Sequence, residues 1–300
     1  MNRHAFHHWF TLVLLALNAS ATGCARKARV VVYCAQDQVY AEPVFAAFTS
    51  STGIEVLAVY DSEAVKSVGI ANRILSERAH PVADIFWGNE ELQTRRLASA
   101  GAFRPTNGWA VCGQRSRRLV AGRDHLTLAQ CDLHSLTNVE LRGRVSMAAP
   151  WFGSTATHFA LLRAEWGAEA WRGWCRALVQ NQVFLEEGNS QVTRRVARGE
   201  AWVGLTDSDD VQAAQREGLG LVAGPPLAAL HTTVAVLRDA PRPVAAEKLF
   251  GYLQTAEVQA MLLRAGAVET VTNRLPEPRW DVMLSEFETT GRELREAMVK

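Results

Sequence analysis

The 300-residue sequence has four tyrosines, Tyr33, Tyr40, Tyr60 and Tyr252, so residues 61 to 251 contain no phenol. It has no CxxC pair and no Cys/His cluster at zinc spacing, which argues against a structural zinc. Charge of either sign is not in excess: 32 basic residues stand against 31 acidic ones. A nucleic-acid binder needs a basic face or a basic surplus, so that class is set aside. No internal repeat, heptad or low-complexity tract is present, which excludes solenoid and coiled-coil architectures. The early apolar run, Trp9 to Leu17, is too short to span a bilayer as a permanent helix.

What is there is an exported chain of ordinary globular make-up, 48% hydrophobic and 21% charged. That is enough for one large or two modest domains. Residues 1–23 read as a signal peptide: Arg3 and three histidines, the apolar run, then small residues from Asn18 to Gly23. The stretch from Ser20 to Cys24 resembles a bacterial lipoprotein processing site, with Ala21 where leucine is usual. Acylation of Cys24 would anchor the protein to the outer side of the cell membrane; plain secretion with a spare thiol is the alternative. Cys34, Cys112, Cys131 and Cys175 remain. An exported compartment permits disulfides, and Cys112 with Cys131, which bracket a loop-like stretch, are the first expectation for a pair.

From Arg29 onward apolar strands and amphipathic helices alternate, which predicts an α/β fold with parallel strands. Strands are expected at 30–34, 54–60, 83–87, 144–148, 182–185, 201–206, 219–222 and 231–237. Between 101 and 136 periodicity weakens around a short strand at 117–121, and a single last helix is expected within 281–298. The pattern divides the chain into a first lobe (24–115), a second lobe (116–228) and a return to the first with C-terminal helices (229–300).

In open α/β sheets ligands sit beyond the carboxyl ends of strands, at helix N-termini. Applied here, that rule selects Asp37, Asp61, Glu63, Trp87, Asn89 and Glu90 from the first lobe, and Ser154, Thr155, Thr157, Asn189, Ser190, Asp207 and Asp209 from the second. Each of the small polar residues is also what a helix N-cap requires. Trp87 exceeds a cap's needs and reads equally as an aromatic wall or a core plug. The carboxylates of Asp207, Asp209 and Asp210 repel one another unless a cation, donor or helix end offsets them. A hard cation would suit Glu63, Glu90 and Asp207. Ser154 after Gly153, with His158 one turn on, raises a hydrolase reading, but GSTAT lacks the second glycine of a nucleophile elbow. No catalytic residue and no resident cofactor is expected.

The segments VVVYCAQDQVYAEPVFAAFTSSTGIEVLAVYDSEAVKSVG, HPVADIFWGNEE, APWFGSTATHFALL, EEGNSQV and VGLTDSDD, in this order, resemble the bacterial extracellular solute-binding proteins of the ferric-iron type that feed ABC importers. The resemblance covers about Val30 to Arg264. It implies the type II periplasmic binding fold, a monomer whose two lobes close on a solute, delivery to a permease and ATPase complex in the membrane, and Fe³⁺ as the transported solute. The well-studied iron binders of the group use a tyrosine pair in the second lobe and a histidine in the first. Here the phenol-free stretch and the YCAQDQ turn offer neither. A phosphate-bearing organic anion, held by the hydroxyls, amide and backbone N–H groups near Ser154, Thr155, Thr157, Asn189 and Ser190, is the alternative on the same fold.

Overall fold

The structure, a computed structural model, describes residues 27–60, 66–106, 108–122, 131–270 and 275–298. The signal segment, Cys24, Asp61 and Glu63 lie outside the described residues.

Val30 to Cys34 is an unbroken apolar run rich in β-branched residues, the pattern of a strand buried on both faces. It forms strand β1 (Arg29–Cys34), parallel to β2 (Glu55–Tyr60) on one side and to β3 (Ile85–Gly88) on the other. Helix α1 (Gln38–Thr52) connects the first two strands and stops at Gly53, whose φ of 70° suits glycine. Helix α2 (Lys66–Ser76) precedes β3 and α3 (Glu91–Ser99) follows it.

The stretch expected to be mostly loop differs from expectation. It contains β4 (Trp109–Gly122), a 14-residue strand with one register break between Val111 and Gly113. Its alternation is hidden because Arg115, Ser116 and Arg117 are all buried, so neither face reads as apolar.

The second half repeats the alternation through β5 (Val145–Ala148), α4 (Gly153–Trp166), α5 (Ala168–Gln180), β6 (Phe184–Glu186), α6 (Asn189–Ala197), β7 (Val203–Asp207), α7 (Ser208–Arg216) and β8 (Leu221–Ala223). A long strand, β9 (Ala228–Val236), then leads to α8 (Pro243–Leu253) and α9 (Ala256–Ala265). The last helix expected within 281–298 is broken at Glu286 into α10 (Trp280–Ser285) and α11 (Phe287–Met298).

The strands form one sheet in the order β2-β1-β3-β9-β4-β7-β5-β6, with β8 also on β4. Pairing is parallel at both ends and antiparallel where β9 and β4 meet each other and their neighbours. These two long strands tie a first lobe to a second. Each lobe is layered α/β/α. In the first, α1, α8 and α9 cover one sheet face and α2 and α3 the other. In the second, α4, α5, α10 and α11 cover one face and α6 and α7 the other. The close approach of α6 to β7 depends on Gly204, where a Cβ would meet Val192 Cγ1 at 2.6 Å. Met283, Leu294 and Met298 bring the C-terminal helices onto the second-lobe core, and Arg163 binds Glu286 and Glu293 above it.

Two expectations are corrected by the packing. Cys112, Cys131 and Cys175 are free thiols. Cys112 belongs to the first-lobe core and Cys131 packs on the second-lobe core, so the pair expected from their spacing is not formed. Trp87 is a core plug and not an aromatic wall: it is fully buried and meets Phe45 edge-on, with ring centroids 5.4 Å apart. Trp87→Ala is therefore expected to cost about 3–5 kcal/mol of stability, measured by denaturant unfolding. A loss under about 1 kcal/mol would contradict the placement.

Candidate functional site

Four helix N-termini meet where β4 passes between the lobes, and they are treated in two different ways. Helix α3 is capped from within: the Glu90 carboxylate accepts from Leu92 N at 2.7 Å and Gln93 N at 3.2 Å. The same Oε2 accepts from Thr157 Oγ1 of the second lobe at 2.7 Å. Burial raises the pKa of Glu90, and the hydrogen bonds from Thr157 and the backbone oppose that rise. Glu90 and Thr157 thus form a lobe-to-lobe contact, and neither lines the cleft. Helices α4 and α6, by contrast, begin at Phe152 and Gly188, which supply no side-chain cap. Their first-turn N–H groups and positive dipole ends face the cleft.

Behind these helix ends lies a buried ionic cluster. Arg117 is fully buried and donates to Asp207 Oδ1, to Asn189 Oδ1 at 3.1 Å and to Leu205 O at 3.4 Å. Arg115 donates to Asp209 Oδ2 at 2.6 Å, and its Nη1 lies 3.2 Å from Asp207 Oδ2. Its Nη2 crosses to the first lobe, donating to Asn89 O at 2.9 Å. Asn189 ties the cluster to the helix ends, since its Nδ2 donates to Ser154 Oγ and to Asp207 Oδ2, both at 3.2 Å. Asp207 therefore stands at the N-terminus of α7 without capping it.

The electrostatics follow from this pairing. Burial opposes ionisation of Asp207, but Arg117 and Arg115 more than offset it and hold its pKa low. Burial likewise opposes the charge on Arg115, and Asp209 and Asp207 overcome it. Asp209 shares one arginine with other acids, so burial raises its pKa to about 6. Asp210 is raised well above the usual carboxylate range by burial and by Asp209, Asp207 and Asp37.

A raised carboxyl pKa means that the folded state holds a proton the unfolded chain has lost. Its stabilisation is complete below the unfolded value and disappears as pH rises through the folded one. Relative to Asp209→Asn, the wild type is expected to lose on the order of 1–3 kcal/mol between about pH 4 and pH 6. Urea unfolding of both proteins across that range checks it, and parallel stability curves would refute it.

The cleft has a volume of about 60 Å³ and is lined by Asp37, Asn89 and Arg115 on one side and by Ser154, Thr155, Asn189, Asp207 and Asp210 on the other. Of the residues selected from sequence, Asp37, Asn89, Ser154, Thr155, Asn189 and Asp207 come together there. Asp209 lies behind on Arg115, and Ser190 turns aside to donate to Gln191. Among the described residues, the acidic groups near enough to share one ion are Asp207, Asp209 and Asp210, whose oxygens lie within 4.8 Å of one another. Arg115 and Arg117 already occupy two of them. His158 is buried with neither ring nitrogen bonded, and burial followed by Arg117 lowers its pKa to about 3. Ser154 and His158 therefore do not form a nucleophile–base pair.

Arg115 and Arg117 are the principal site residues that sequence reasoning missed. Two arginines at alternate positions of a strand, in RSRR, share one face of the sheet. Opposite them on β7 stands an acidic strand end, Arg117 being in register with Asp207. That juxtaposition needs the sheet order.

An α/β protein with two lobes on a shared antiparallel hinge, and a polar cleft between helix N-termini, has the architecture of a periplasmic solute-binding protein. The model of the bacterial extracellular solute-binding protein family matches residues 30–267, and this chain belongs to that family. Among solved structures, iron-bound HitA from Pseudomonas aeruginosa is similar at TM-score 0.76, with 19% identity over 89% of this chain and 99% of that one. The Trichodesmium protein IdiA (FutA), in complex with iron and citrate, gives 0.72 and 16%, covering 91% and 100%. AfuA from Actinobacillus pleuropneumoniae, with fructose-6-phosphate bound, gives 0.75 and 18%, covering 91% and 99%. Identities this low establish the common fold. Comparison with curated protein sequences gives no match.

Proposed function

We propose that this protein is the solute-binding component of an ABC importer, anchored outside the membrane through Cys24, and that its solute is a small phosphate- or phosphonate-bearing organic anion. The observation that carries the choice of solute is the pair of buried arginines. They occupy two of the three grouped acids that a ferric ion would need, and Arg115 lines the cleft near two helix N-termini that no side chain caps. Backbone N–H groups of α4 and α6, with Ser154, Thr155 and Arg115, suit the oxygens of such an anion. Asp37 on the facing rim, with Glu187 beside the α6 terminus, favours a solute that also carries an amino group. Lobe closure buries the solute, and the closed form is what the permease recognises.

Ferric iron with an accompanying anion is the second reading, supported by the Asp207, Asp209 and Asp210 grouping and by the iron-bound state of HitA. The thermal midpoint of the purified protein separates the two. A ligand at about 100 times its Kd adds about 2.7 kcal/mol, a shift of a few degrees at this size. Aminoalkylphosphonates or sugar phosphates are expected to raise the midpoint where ferric citrate and ferric phosphate do not. A rise with ferric iron alone would overturn the choice of solute in favour of the second reading.

A further inference from the structure

We propose a second ligand site in this protein, across Phe152 from the cleft, for a small organic anion with a flat apolar body, of the aryl carboxylate class. Phe152, the residue before α4, lines both cavities. The second cavity has a volume of about 340 Å³ against about 60 Å³ for the cleft, a size that suits an organic ligand. Its walls come from both lobes, with α2 and α3 on one side and α4 and α11 on the other.

The lining defines the chemistry. Trp151, Phe152 and Phe287 supply ring surfaces, and Leu92 and Leu294 add aliphatic surface. Glu288 is the one carboxylate and Thr290 the one hydroxyl residue among the described residues of this wall, so neither a metal-ligand set nor the hydroxyl cluster of a sugar site is present there. Two guanidinium groups reach it, Arg96 and Arg295, against one exposed carboxylate, Glu288. Arg96 is half-buried, and its Nη1 donates to neutral partners, Asn72 Oδ1 at 3.0 Å and Gln93 Oε1 at 3.2 Å. It lies over the Phe287 ring, 4.9 Å from the centroid. Among the described residues neither Arg96 nor Arg295 is in an ion pair. A guanidinium held in orientation by amide oxygens and stacked on an aromatic ring keeps its remaining N–H groups for a planar carboxylate. The aromatic walls then cover the body of the ligand. Because both lobes build the cavity, a ligand there is tied to their separation, and its affinity is reciprocally linked to that of the cleft solute.

Calorimetric titration of the full chain with 2-naphthoate tests the site, with the neutral 2-naphthalenemethanol as its partner probe. Naphthoate is expected to bind with a Kd below about 1 mM and at least about tenfold more tightly than the alcohol, a difference of about 1.4 kcal/mol. Gly291→Leu fills the cavity. A Cβ at Gly291 meets nothing closer than the Arg295 guanidinium at 3.8 Å, and leucine is the better helix former, so this variant is expected to fold at least as stably as the wild type. It is expected to weaken naphthoate at least about tenfold. Arg96→Gln with Arg295→Gln is expected to remove the preference for the acid while leaving the alcohol unaffected. A cleft variant, Ser154→Asp, is expected to keep naphthoate affinity within about threefold, which separates this site from the solute site. No binding of naphthoate at millimolar concentration, equal binding of acid and alcohol, or unchanged binding by Gly291→Leu would each overturn the proposal.

Discussion

Arg117→Met is expected to lower the unfolding free energy by about 3–5 kcal/mol, the largest single-residue effect anticipated outside the apolar core. Arg117 and Asp207 are both fully buried, and Arg117 also satisfies Asn189 Oδ1 and Leu205 O. Removing the guanidinium leaves the buried Asp207 charge with only the longer 3.2 Å contact to Arg115, an arginine it shares with Asp209 and Asn89 O. Folding would then require either a protonated Asp207 or a buried charge that has lost its closer ion pair, and both are costly at neutral pH. Methionine matches the length of the arginine stem, so lost packing is a minor part of the effect. Urea unfolding at pH 7 measures the loss. The double variant Arg117→Met with Asp207→Asn is expected to recover a large part of it, because the uncompensated charge is gone. A single variant within about 1 kcal/mol of the wild type, or a double variant no better than the single, would show that the pair is not the electrostatic keystone of the hinge.

Ser154→Asp is expected to weaken a phosphate- or phosphonate-bearing solute by more than about 100-fold while leaving the protein folded. The position lies in the first turn of α4 and on the cleft wall. A carboxylate there interacts favourably with the helix dipole, by about 0.3–1 kcal/mol, so the apo protein is not penalised on that account. For an incoming anion the same carboxylate is a like charge at close range, which costs several kcal/mol at an interface. The substitution separates the two readings by sign, since a ferric ion would gain a hard oxygen ligand and bind as well or better. Titration of both proteins with one phosphonate and with ferric citrate decides the matter. Undiminished phosphonate binding would remove the α4 terminus from the site.

Much of the fold was legible because its signals are local. The buried run at Val30 to Cys34 and the polar turns after each strand determine element type within a few residues of sequence. The same locality placed Ser154, Thr155, Asn189 and Asp37 on a rim, since a helix that follows a strand in a parallel α/β unit starts at the sheet's carboxyl edge. What failed had non-local causes. Only residues 117–121 of β4 read as strand, because its central polar residues are buried by partners 72 to 94 positions away in sequence. Trp87 and Glu90 stand at a strand end as a site residue would, but Phe45 covers one and Thr157 meets the other.

The sequence by itself determined the alternating architecture, the approximate position of the elements, the family and the helix ends that border the cleft. These follow from hydrophobic period and capping chemistry, which act over a few residues. Only the tertiary structure decided what those helix ends hold between them. The net charge of the cleft depends on which acids are neutralised, and that was settled when β4 came to lie against β7, placing Arg117 opposite Asp207. Coulomb interactions and desolvation depend on separation in space and not along the chain. Carboxylates and hydroxyls that look alike in sequence can therefore end as ligands, caps or counter-ions according to the sheet order alone.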